Sequence, residues 1–138
     1  MKAQTRHWID SADYDWQVAH HMLKSRSHIY VLFLCHLTIE KLLKACLVEF
    51  AACQIPPRIH ILLKLAKRAG ILREIPEQFK PLLAELTSLQ EKTRYAREPN
   101  ASPSSYTREY AIQYMKRTEA LRKWLKHRLA SANSLAGS

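Results

Sequence analysis

Four polar side chains interrupt a long apolar stretch near the middle of the chain. His36, Glu40 and Lys44 recur every four residues, and Lys41 lies beside them. On an α-helix this spacing places the first three in one narrow stripe, with Glu40 preceding Lys44 in the order that favours an ion pair. Two interpretations remain open. Either the stripe faces a crevice or solvent, or it lines a groove in which Lys41 or Lys44 meets a phosphate or an acidic partner.

Metal binding by this stripe is not expected. His36 and Glu40 have a spacing that suits a shared ion, but two ligands fall short of the three or four protein ligands of zinc sites. His60, which follows Pro57, is interpreted as a structural histidine that forms hydrogen bonds. The sequence therefore predicts neither a metal nor a cofactor.

Two arginines near the end of the predicted fourth helix are candidates for binding a nucleotide or RNA. Arg94 and Arg97 lie in the stretch RYAREPNASPSSY, which contains no histidine. Guanidinium groups suit phosphate because their N–H groups can donate to two oxygens at once. The alternative for Arg94 is an ion pair with an acidic residue of the same fold.

The last predicted helix combines cations with aromatic side chains. Basic residues interleaved with aromatic rings suit the backbone and the bases of RNA. The alternative is that the rings pack inside while the cations stay in solvent. The cations are Lys116, Arg117, Arg122, Lys123, Lys126 and Arg128, and the aromatic residues are Tyr106, Tyr110, Tyr114 and Trp124.

Composition limits the possible functions. The 138 residues carry a net charge of +10, which indicates an anionic partner or a protein kept in solution by its charge. Glycine occurs only twice, so neither a phosphate-binding P-loop nor a glycine-rich dinucleotide fingerprint can be present. Three cysteines in apolar sequence indicate reduced thiols and a cytoplasmic protein. The N-terminus lacks an apolar signal segment, and no membrane association is expected.

Helical periodicity predicts the elements that position these residues. Apolar residues recur at steps of three and four, and no alternating strand pattern occurs. Pro76 begins one helix, whose true start can be nearer Lys80, and Gly70 is placed to end the helix before it. The second helix is apolar on nearly all sides, which we interpret as a sign of a homodimer. The predicted helices span about residues 5–24, 29–52, 59–69, 76–96 and 105–129.

These elements predict an all-α fold, an antiparallel up-and-down bundle of four main helices plus a short helix. The expected boundaries are one helical domain over residues 1–130 and a flexible C-terminal tail over 131–138.

Several short motifs together resemble the HEPN domain family (higher eukaryotes and prokaryotes nucleotide-binding). The stretch TIEKLLKACL, residues 38–47, is similar to the signature of the family's central helix. The resemblance covers about residues 5–129 and implies a helical, usually homodimeric protein. It also implies pairing with a minimal nucleotidyltransferase, in some members as toxin and antitoxin. The other positions that carry it are Trp8, Ala12, Asp13, Ala19, Pro57, His60, Leu63, Arg94 and Tyr95.

The resemblance also implies a candidate catalytic pair. Ribonucleases of this family carry an Arg and, after four to six residues, a His, and the two act on RNA across the dimer interface without metal. Arg122 and His127 have this relation, with His127 as general acid or base and Arg122 stabilising negative charge. The alternative is a basic helix terminus that the helix dipole favours.

Three functions follow as expectations. The first is a homodimeric HEPN protein with little or no catalysis that binds a nucleotide or a minimal nucleotidyltransferase. The second is a metal-independent ribonuclease toxin that uses Arg122 and His127. The third is a basic adaptor that binds RNA without cleaving it.

Overall fold

The predicted all-α bundle of four main helices and one short helix is confirmed. A computed structural model describes residues 1–94 and 106–136. A 3-10 turn, Glu77–Phe79, directly precedes the fourth α-helix. The α-helices are α1 (Ala3–Lys24), α2 (His28–Phe50), α3 (Leu62–Arg68), α4 (Lys80–Arg94) and α5 (Arg108–Ala136).

The second helix is the centre of the bundle. α2 packs against α1, α5, α4 and α3, whereas α1 and α5 touch each other only slightly. Most of α2 is therefore covered, and side chains on all its sides lie in the core, among them Leu32, Ile39 and Leu43.

Two cysteines of α2 are part of this core. Burial raises the pKa of Cys35 and of Cys46 to about 12, so both thiols stay protonated.

One argument for a homodimer is wrong. The apolar surface of α2 suggested that a second chain covers it, but the other helices of the same chain already do so. An all-round apolar helix is as well explained by a central position in a bundle as by an interface. The dimer stays a prediction that needs another basis.

Some helix ends differ from the sequence prediction. α3 begins at Leu62 and not at residue 59. α4 begins at Lys80, the later of the two starts that the sequence allowed, so Pro81 lies in a first turn that needs no N–H from it. α5 continues to Ala136, into the segment that was expected to be a tail. Residues 130–136 contain no proline or glycine, and alanine favours helix, which explains the extension.

Within the described residues, no helix has both the length and the apolar character needed to cross a membrane.

Two helices end in the same left-handed motif with different residues. After α3, Gly70 has φ 78°, its N–H donates to the carbonyl of Lys67, and the N–H of Ile71 donates to that of Ala66. After α1, Arg26 takes the equivalent position with φ 61°. Glycine adopts this conformation without the steric penalty that a Cβ brings.

This difference predicts opposite effects of two substitutions on stability. Gly70→Ala should lower the free energy of unfolding by about 1 kcal/mol, because left-handed backbone is costly for residues with a Cβ. No atom lies within 4 Å of the added Cβ, so a clash does not contribute. Arg26→Gly should raise the stability by a similar amount. Urea unfolding measures both, and a stabilising effect of Gly70→Ala would contradict the assignment.

Candidate functional site

The carboxylate of Glu40 is the centre of a buried polar network on α2. One oxygen, Oε1, accepts a hydrogen bond from Nδ1 of His60 at 2.6 Å, and the other, Oε2, accepts one from Nζ of Lys44 at 3.1 Å. Glu40 is only 4% exposed. A charge at such a depth is tolerated only when it is paired and hydrogen-bonded, and here each oxygen has a partner.

His36 completes the network from the preceding turn of α2. Its Nε2 lies 2.8 Å from the backbone oxygen of His60. A carbonyl oxygen can only accept, so the proton of the neutral ring is on Nε2. Burial lowers the pKa of His36 below its ordinary 6.5, although the hydrogen bond to His60 and the nearby Glu40 act in the opposite direction. His36 is therefore held as a neutral donor.

The expectation that this stripe faces a crevice or solvent is wrong. His36 and Lys44 are 1% and 7% exposed, and the ammonium of Lys44 lies 5.6 Å from the ring centre of Trp8 in α1. The segment before α3 covers the stripe, and its His60 forms the hydrogen bonds that the sequence suggested for it. His60 itself remains half exposed, with 52% of its side chain in solvent.

Lys41, the other candidate for anion binding on α2, also has a carboxylate within the chain. Its Nζ lies 2.6 Å from Oδ2 of Asp15 as an ion pair and donates a hydrogen bond of 2.7 Å to Oγ of Ser11. Both partners lie in α1. The contact therefore joins α1 to α2, and an incoming phosphate would have to compete with Asp15.

Only one of the two arginines proposed near the end of the fourth helix can be located. Arg94 is the last residue of α4, and its side chain is exposed. Arg97 lies outside the described residues. Their role in binding a nucleotide or RNA stays a prediction.

Four cations of α5 pair with carboxylates elsewhere in the chain. Glu85 in α4 accepts two hydrogen bonds from Arg117, at 2.6 and 3.0 Å, and one from the hydroxyl of Tyr114 at 2.8 Å. These bonds, from Arg117 above all, hold the pKa of Glu85 below its ordinary 4.5. Nε of Arg128 lies 3.2 Å from Glu74. Much of the basic surface that the sequence indicated is thus neutralised within the chain.

The candidate catalytic arginine takes part in the same pairing. The guanidinium of Arg122 lies 3.1 Å from Glu119 and 3.4 Å from Asp13 in α1, and it is 5.6 Å from the ring centre of Trp16. Asp13 also binds Lys126 at 2.9 Å. This cluster fastens α5 to α1, where the two helices otherwise touch little.

His127 is placed differently from Arg122. It is exposed on α5 and forms no hydrogen bond or ion pair with the described part of the chain. Five residues along a helix correspond to about 140° of rotation, so the two side chains leave α5 on different sides. The geometry of α5 alone therefore does not place them side by side, and their catalytic role stays a prediction.

An open groove between α1 and α5 could accept a small molecule. It has a volume of about 420 Å³ and combines apolar side chains and an aromatic ring with residues of both charges: Trp16, His20, Leu23, Ile112, Met115, Lys116 and Glu119. Lys116 is exposed and has no ion pair among the described residues.

In the part of the chain that the structure describes, no cluster of three or more His, Cys, Asp or Glu could hold a metal ion.

Comparison with known proteins agrees with the helical architecture around this site. The family model of the HEPN domain matches residues 5–128. The chain belongs to the HEPN domain family. The crystal structure of TT1696 from Thermus thermophilus is similar with a TM-score of 0.75 at 20% identity, over 91% of this chain and 98% of that one. This likeness shows a shared fold. A comparison with curated proteins finds no match.

Sequence reasoning missed the partner of Glu40 and most partners of α5. An acidic residue inside an all-round apolar helix was a signal that a buried partner exists, but spacing within α2 pointed only to Lys44. His60 lies twenty residues away along the chain. Only the path of the chain between α2 and α3 brings it back.

The buried network predicts a non-additive effect on stability. Glu40→Gln should destabilise the protein by about 3–5 kcal/mol, because it leaves the Lys44 ammonium buried without its counter-charge. Glu40→Gln combined with Lys44→Met should be more stable than Glu40→Gln alone. Urea unfolding of the two variants and the wild type tests this. A double variant that is no more stable than Glu40→Gln would show that the unpaired ammonium is not the main cause of the loss.

His36 predicts that the stability of the protein depends on pH on the acidic side of neutrality. The lowered pKa means that the unfolded chain binds a proton at a pH where folded His36 does not, so stability should fall as pH falls below about 6.5. His36→Gln retains a donor but cannot titrate, and it should lose less stability over this range than the wild type. Urea unfolding at several pH values measures the difference.

The control for this measurement is His21→Gln, an exposed position on α1. Glu85 does not interfere, because the stability that its ionised carboxylate provides is lost only at lower pH, as pH falls below 4.5 towards its lowered pKa. Parallel curves for His36→Gln and the wild type would rule out the role given to His36.

Proposed function

We propose that this HEPN protein acts as a homodimer that binds a minimal nucleotidyltransferase or a nucleotide, with little or no catalysis of its own. The environment of Arg122 carries this preference. Its guanidinium already lies beside Glu119 and Asp13, so a charge developing on RNA would have to displace two carboxylates. The homodimer and the toxin–antitoxin pairing are supported by the family alone.

The groove between α1 and α5 supports the nucleotide alternative. Apolar side chains and the ring of Trp16 suit a base, and Lys116 offers a cation for a phosphate. The candidates Lys41 and Lys44 are less suited, because Asp15 and Glu40 already neutralise them. Arg94 and Arg97 remain candidates for binding phosphate.

The alternative is a metal-independent ribonuclease in which Arg122 of one chain and His127 of another meet across a dimer. Exposure of His127 favours this alternative, because an exposed imidazole is accessible to RNA and to a second chain. The third possibility, an RNA-binding adaptor, is weakened by the neutralised cations of α5.

Two measurements separate these functions. End-labelled RNA incubated with the protein in EDTA should remain intact, and co-expression with a minimal nucleotidyltransferase encoded beside the gene should yield a stable complex on gel filtration. Cleavage that is lost in both Arg122→Ala and His127→Ala, but not in His21→Gln, would replace our proposal by the ribonuclease. Intact RNA without a complex would leave salt-dependent RNA binding to test for the adaptor.

A further inference from the structure

The segment from the end of α2 through α3 carries unpaired positive charge. Between Phe50 and Arg73 the chain contains no aspartate or glutamate. All its lysines and arginines are exposed, and none forms an ion pair or hydrogen bond with the described residues through its side chain. These cations, which we call the α3 cations, are Arg58, Lys64, Lys67, Arg68 and Arg73.

Geometry gathers three of these charges on one face. Leu62, Leu65 and Ala66 are buried against α2 and α4, so α3 has a fixed inner side. Lys64 lies three and four residues before Lys67 and Arg68, and side chains with this spacing are neighbours on a helix. The outer side of α3 is therefore uniformly basic.

The same segment exposes apolar side chains. Ile55 is 87% exposed and Ile61 is 44% exposed, although both are large aliphatic residues. Ile61 directly precedes α3. Aliphatic side chains beside cations fit a protein surface that offers carboxylates and an apolar contact, whereas RNA binding usually relies on aromatic rings for stacking.

Hydrogen bonds fix the chain where it enters α3. His60, which precedes Ile61, is fixed to α2 by its side chain on Glu40 and by its carbonyl on His36. The N–H of Leu62 donates to the hydroxyl of Thr87 in α4 at 3.2 Å. A surface fixed in advance loses less conformational entropy when it binds.

We propose that the α3 cations, with Ile55 and Ile61, form the docking surface for an acidic partner protein. Charge complementarity identifies the class of partner, since the surface has positive charge and no carboxylate of its own. A second copy of this chain is a poor occupant of the same surface, because it would bring the same cations into contact. The proposal deepens the proposed function, on which it rests, by naming the surface that an acidic nucleotidyltransferase would use.

A direct test uses a defined acidic probe. The probe is a fluorescein-labelled amphipathic peptide of glutamate and leucine, and its binding is followed by fluorescence anisotropy at low and moderate salt. Lys64→Glu/Lys67→Glu/Arg68→Glu should weaken binding by about tenfold or more, because it reverses the local charge. Ile55→Ser/Ile61→Ser should also weaken binding, without any change in net charge.

The matched control is Lys24→Glu/Lys92→Glu/Arg108→Glu. These residues are exposed, have no ion pair among the described residues and lie on other helices. Both triple variants change the net charge equally, so non-specific attraction weakens equally in both. The control should retain binding within about threefold of the wild type. Equal losses in the two triple variants would overturn the proposal, as would unchanged binding in the α3 variant.

A second probe separates a protein partner from nucleic acid. Oligouridylate binding should respond equally to the two triple variants. If the α3 variant loses oligouridylate and keeps the peptide, the surface belongs to RNA and the proposal is wrong. Because the peptide assay needs no nucleotidyltransferase, failure to form a complex with that protein while peptide binding depends on α3 would reject the proposed function and retain the surface.

Discussion

A buried carboxylate in the central helix needs partners for its negative charge, and the fold around α2 is organised by that requirement. Glu40 lies in the middle of the most buried helix of the bundle. Lys44, one turn later, supplies one partner, but a carboxylate has two oxygens, and an unpaired one at that depth costs free energy. The second partner, His60, comes from the segment that leaves α2. The return of the chain over α2 thus supplies the second partner that the buried carboxylate needs.

The path of the chain from α2 to α3 also sets which side of α3 faces outward. His60 is bound through both its side chain and its backbone, so the chain enters α3 from a fixed point. From there the apolar residues of α3 can face α2 and α4 only if its lysines face outward. The buried charge and the exposed basic surface are therefore linked. A substitution of Glu40 should therefore also alter the surface of α3, since His60 binds Glu40 and lies just before α3.

The architecture could be read from the sequence because it depends on local periodicity. Steps of three and four, Gly70 after α3 and the prolines before α3 and α4 place the helices to within a few residues. The end of α5 was placed too early because the last residues of a chain were expected to fray, whereas helix continues where nothing interrupts it. The polar stripe was assigned to the right helix and to the wrong environment. Periodicity shows that residues share a face, but only tertiary contacts decide whether that face is covered.

Ion pairs between distant residues explain why the basic residues of α5 and α3 differ in what they can do. The sequence shows α5 as the more basic and more aromatic helix, and its own few carboxylates cannot neutralise it. Carboxylates from three other parts of the chain do so, at Asp13, Glu74 and Glu85. No carboxylate reaches the α3 cations within the described residues. A cation that is already paired must give up that partner to bind an anion, and the cost offsets much of the gain. Net charge therefore indicates that an anion is attracted to this protein, while the pairing of each charge decides where it can bind.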